Sequence, residues 1–155
     1  MKTIITGVDS SQTALAAAEK AAALAVSFDA DLYVFSAYSI SSIVAMQTAK
    51  SGNMAVKTSD AYQRLADNQS AAAQEAADSV AAILRDSWPT LKVTAVAVEG
   101  QPAEILVQQA ERLDADAIVV GNKKPQGLQR MLGSISRNVA AAANCDLYIV
   151  NTTRD

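Results

Sequence analysis

Five short apolar runs, separated by stretches whose apolar residues return every three or four positions, constrain this chain more than any other feature of it. TIITGVD, residues 3–9, is rich in β-branched residues and ends in Gly7 and Asp9. DLYVFSAY (Asp31 to Tyr38), LKVTAVAVEG (91–100), Ala117 to Val120 and Leu147 to Asn151 read as four further strands. Between them lie helical patterns. One follows Asp9 and carries Leu15, Ala18, Ala22 and Val26 on its apolar side. A longer one from Asp60 to Asp86 uses Leu65, Ala72, Ala76, Val80, Ile83 and Leu84, and Trp88-Pro89 closes it. A third opens at Pro102, a first-turn proline, with Ile105, Leu106, Ala110 and Leu113 inward. A fourth, Ser134 to Ala143, turns Ile135 and Val139 inward. Strands that alternate with helices and are apolar almost throughout imply an α/β fold, a parallel sheet with helices on both faces.

The chain of 155 residues falls in the range of one domain, here residues 1–155, and is long enough to bury a core without staples. Residues 39–59, with several serines, Gly52-Asn53 and no sustained period, read as a mobile connection inside that domain. A formal net charge of −3 argues against a nucleic-acid partner, which needs a basic face to displace counterions from phosphate. Cys145 is the single cysteine and there is no histidine, so an intrachain disulfide and Cys-His, Ser-His-Asp and His-metal chemistry are all excluded. No stretch approaches the ~20 apolar residues that a membrane helix requires, and no secretory signal opens the chain; a cytoplasmic protein is the expectation.

In a sheet of this kind ligands bind beyond the carboxyl ends of the strands, where strand order reverses. Two strand ends carry suitable chemistry. In VVGNKKPQGLQRMLGSIS, residues 119–136, Gly121 allows positive φ or close backbone approach, Lys123, Lys124 and Arg130 follow, and Gly133-Ser134 begins a helix whose free amides favour an anion. The same residues also suit a plain strand-end turn and helix start with solvated basic residues. At the other end Asp9 stands where a carboxylate meets a ribose or, with a nucleotide present, helps hold Mg²⁺; it equally suits an N-cap completed by Gln12 three positions on. The loop is neither a Walker A sequence nor a dinucleotide fingerprint.

GVD, the SAY that ends the second strand, EGQPAEIL, ADAIVVGNK and GSISRNVAAAANCDLYIV stand in the order and places seen in the universal stress protein family, which the chain resembles over all but residues 39–59. The resemblance implies a five-stranded parallel sheet of the Rossmann-like, adenine nucleotide α-hydrolase-like type. It also implies a homodimer joined through the last strand, and ATP or AMP, with or without Mg²⁺, held against a G-x2-G-x9-G-S/T loop. Carried over by position, Val8 lines the base pocket, Asp9 meets the adenine or ribose, and the backbone of Ala37 meets the adenine edge. Val120, Gly121, Gly133, Ser134, Ile135 and Ser136 then meet the ribose and phosphates. This chain departs from the pattern by reading G-x2-K-x8-G-S, one residue shorter and with Lys124 in place of the second glycine. That lysine either blocks the hollow or lends it positive charge.

The expectation is therefore a regulatory or stress-response module that binds an adenine nucleotide and is not primarily an enzyme. Cyclic AMP suits the same pocket. The alternatives are a nucleotide-free dimeric interaction protein, and slow ATP hydrolysis or self-phosphorylation at Ser134 or Ser136, for which no general base is evident.

Overall fold

A computed structural model describes residues 1–41, 59–122 and 132–152. The elements in chain order are β1 (Thr3–Gly7), α1 (Gln12–Phe28), β2 (Asp31–Tyr38), α2 (Ser59–Ser87), β3 (Val93–Glu99), α3 (Pro102–Arg112), β4 (Ala117–Asn122), α4 (Ser134–Ala142) and β5 (Asp146–Asn151). Most of the connection expected over 39–59 lies outside the described residues, as do Lys123, Lys124, Gly127 and Arg130.

All five strands are parallel, in the order β3-β2-β1-β4-β5. The chain winds outward from β1 to β2 and β3, then crosses back to β4 and winds the other way to β5. Strand order thus reverses between β1 and β4. Right-handed crossovers put α1 and α2 on one face and α3 and α4 on the other. Two apolar layers result: Ile4, Leu32, Val34 and Val119 under α1 and α2, and Ile5, Phe35, Ile118 and Val120 under α3 and α4. Each strand feeds both layers because neighbouring side chains point to opposite faces. A buried polar residue at the centre, Thr6, is satisfied by donating from Oγ1 to the Val119 carbonyl at 2.9 Å.

Helix α1 lies close on the sheet because its inner stripe, Ala17, Ala18, Ala21, Ala22 and Ala25, is all alanine and fully buried. Ser11 caps its start by accepting from Ala14 N at 3.1 Å, and Asp29, in the left-handed region at φ 53°, ends it. In α2 the buried positions are Ala73, Ala77, Val80, Ala81 and Leu84.

Several expectations need correction. Val26 and Ile83, expected inward, are 42% and 43% exposed, and Ala72 is exposed too. Val80 and Leu84 are buried as expected, but in α1 the buried side is set by the small residues that fit closest to the sheet. Strand β1 ends two residues before Asp9, and β4 runs on to Asn122, so Gly121 lies within a strand rather than in a turn. Ile135 is 40% exposed, while Val139, one turn on, is fully buried as expected.

Candidate functional site

The carboxyl ends of β1 and β4 part at the point of reversed strand order, and a cavity of about 150 Å³ opens between them. Val8, Asp9, Ala37, Val120, Gly121 and Ile135 all line it, so six sequence-selected residues from four places in the chain meet at one hollow. Its apolar floor comes from Phe35, Ile105 and Leu106. It is smaller than the ~300–1000 Å³ of common ligand pockets, a fit for one apolar moiety with the remainder of a ligand lying over the mouth.

Each wall has a local cause. Val8 is buried, and its amide donates to the Phe35 carbonyl at 2.8 Å, which carries the β1–β2 pairing one residue past the strand. The next residue, Asp9, is exposed, and its Oδ1 accepts from Ser11 N at 2.7 Å. The carboxylate therefore shapes the turn before α1, while the cap is Ser11, not Asp9 paired with Gln12. Asp9 is the one charged residue among the described residues that line the cavity. Gly121 serves close approach rather than positive φ: a Cβ there would stand 2.9 Å from the Thr13 carbonyl oxygen and 3.0 Å from Thr13 Cγ2. The start of α1 can thus lie directly on the end of β4.

Gly133, Ser134 and Ser136 belong to the start of α4, beside the cavity. Gly133 is the N-cap and has no side chain with which to cap, and the first helical bond runs from Arg137 N to the Gly133 carbonyl at 3.0 Å. The amides of Ser134, Ile135 and Ser136 have no acceptor within the helix, the arrangement that favours an anion. Ser136 is buried, and its Oγ donates to the Gly121 carbonyl at 3.3 Å, tying α4 to β4; its hydroxyl has a structural task. Ser134 is exposed. Lys124, the departure from the loop pattern, lies outside the described residues.

Reading along the chain did not single out Thr13, Phe35 or Asn122 for the site. Asn122 accepts from Gly133 N through Oδ1 at 2.9 Å. Its position directly after Gly121, at a strand end on the favoured side of the sheet, was the available signal.

At the opposite, amino ends of the strands the connections are short and bonded. Asp116 Oδ2 accepts from the amides of Lys2 at 2.6 Å and Thr3 at 2.9 Å. Those two bonds hold its carboxyl below the ordinary aspartate value. Burial, with the neighbouring Asp146 charge, pushes the Cys145 thiol up.

A parallel α/β sheet with a cavity at its switch point and a helix N-terminus beside it has its candidate ligand site where sheets of this class bind their ligands. The model of the universal stress protein family matches residues 1–151, and the chain belongs to that family. It is 32% identical over 160 residues to a universal stress protein of Mycobacterium tuberculosis, covering 98% of this chain and 97% of the relative. A universal stress protein of Methanocaldococcus jannaschii is 29% identical over 150 residues, covering 96% of this chain and 81% of the relative. Among solved structures, a universal stress protein in complex with cAMP superposes with a TM-score of 0.59 at 25% identity, covering 98% of both chains.

Proposed function

We propose that this protein binds an adenine nucleotide, ATP or AMP, in the cavity between β1 and β4 and acts through that occupancy as a regulatory or stress-response module. The observation that carries the reading is the meeting of Val8, Asp9, Ala37, Val120 and Gly121 at one hollow. In this reading the base enters the apolar part over Phe35, Ile105 and Leu106, and the Ala37 backbone meets its edge. Asp9 faces the sugar, with the Oδ1 bond to Ser11 N setting its orientation. The phosphates lie toward the free amides of Ser134, Ile135 and Ser136. The solved relative bound to cAMP supports an adenine ligand of this size. Mg²⁺, where it takes part, is held chiefly by the phosphates: among the described residues no cluster of three or more acidic or sulfur ligands forms.

A homodimer joined through β5 belongs to the same proposal. Nothing in it calls for a membrane or a nucleic acid; among the described residues no helix is long and apolar enough to cross a bilayer.

Thermal unfolding with ATP, AMP, cyclic AMP and adenosine, each with and without Mg²⁺, tests the reading. A ligand held only by the folded state at a hundred times its Kd adds about 2.7 kcal/mol, a rise of several degrees in Tm for a domain of this size. Unchanged melting with every adenine compound at millimolar concentration leaves the nucleotide-free interaction protein in its place.

A further inference from the structure

We infer that Asn122 is a positioning residue whose carboxamide occupies, in the free protein, an amide that the phosphate end of the ligand must win. The inference rests on the nucleotide reading above and deepens it.

Gly133 brings no side chain to its own helix start. The acceptor for its amide comes instead from eleven residues earlier: Asn122 Oδ1, at 2.9 Å. The main chain of Asn122 is held just as firmly. Its carbonyl accepts from Thr152 Oγ1 at 3.1 Å and from Thr152 N at 3.4 Å. The asparagine is thus anchored between β4 and the end of β5, one residue beyond the cavity-lining Gly121, with its side chain bonded to the start of α4. Among the described residues, an added Cβ at Gly133 would meet nothing closer than Asn122 Oδ1, 3.5 Å away.

A carboxamide oxygen is a neutral acceptor. A phosphate oxygen forms a charge-assisted bond to the same amide, roughly twice as strong, and displaces it. The residue therefore sets how much the phosphates add to affinity beyond the nucleoside. An aspartate at the same place would keep the bond to Gly133, resist displacement and repel phosphate.

Calorimetric titration of the full chain with adenosine and with ATP, for the wild type, Asn122→Asp and Asn122→Ala, tests this. The readout is the ratio of the two dissociation constants. Asn122→Asp is expected to weaken ATP at least tenfold while adenosine stays within about twofold. Asn122→Ala, with the competing acceptor gone, is expected to shift the ratio severalfold toward ATP. A merely structural role moves both ligands together and leaves the ratio unchanged. A wild type that binds both ligands, combined with an unchanged ratio in Asn122→Asp or, should that variant not fold, in Asn122→Ala, overturns the inference and spares the function. A wild type that binds neither ligand overturns both.

Discussion

The two edges of the sheet are treated differently. On the outer edge of β3, the side chain of Gln74 from α2 behaves as a short substitute strand: Oε1 accepts from Ala97 N at 2.9 Å and Nε2 donates to the Ala95 carbonyl at 3.1 Å. Arg85, three turns along the same helix, donates to the Val93 carbonyl at 2.7 Å. On β5 the pattern differs. Asp146 and Thr152 donate toward β4, so by alternation Leu147 and Ile149 turn their amides outward, and among the described residues no side chain is seen to cap them. Tyr148 beside them is 48% exposed. An open strand edge is a template for pairing, and a helix laid along it with bonded side chains closes the template. The difference teaches that, among the described residues, one edge of the sheet is closed by side chains and the other is left open, as the proposed dimer through β5 would require; two open edges would allow a chain of copies.

The comparison breaks most readily at Gln74. Gln74→Leu removes both bonds and leaves two half-buried main-chain groups unpaired, an expected loss of about 2 kcal/mol in urea unfolding. Light scattering after size exclusion is expected to show species larger than those of the wild type. Gln74→Glu keeps an acceptor for Ala97 and loses the donor to Ala95, so a smaller loss is expected. Stability and size equal to wild type in Gln74→Leu would show that the cap does nothing.

A smaller effect on stability, with a larger one on assembly, is expected at the open edge. Proline at position 149 sacrifices only an outward amide, so Ile149→Pro keeps the β4 ladder and costs the folding of one chain about 1–2 kcal/mol, mainly from the lost side chain. It is expected to convert the proposed dimer to a monomer in sedimentation. A dimer that survives this change does not use β5.

The smallest effect concerns Cys145, at the start of β5. Its thiol is pushed up by burial first and then by the Asp146 charge, so alkylation by iodoacetamide is expected to run slower than for a free thiol at pH 8. Asp146→Asn removes one cause and leaves the larger, and is expected to speed the reaction only modestly. Full free-thiol reactivity in the wild type would mean that the start of β5 is more open than its packing indicates.

Much of the fold was legible along the chain because strands buried on both faces are written as continuous apolar runs. DLYVFSAY matches β2 from end to end, and Pro102 marks the start of α3. The helix faces were less legible. Large residues such as Val26 and Ile83 suggest a buried side, yet in α1 contact is decided largely by which alanines can touch the strands. The site was legible by topology: strand ends on one side of a parallel sheet drew attention to Asp9 and Gly121, and both line the cavity. The cap at Ser11 instead of Asp9 depended on where α1 starts, which sequence patterns locate only to within a few residues.

The sequence by itself determined the succession of strands and helices, the parallel sheet and the two strand ends that carry chemistry, because these follow from local periodicity and from glycines and capping residues close to their targets. Tertiary structure alone decided that Gly121 admits Thr13, that Asn122 reaches Gly133 and that Gln74 seals β3. Those contacts join residues far apart in the chain, and their free energy appears only when the sheet has brought the partners within bonding distance.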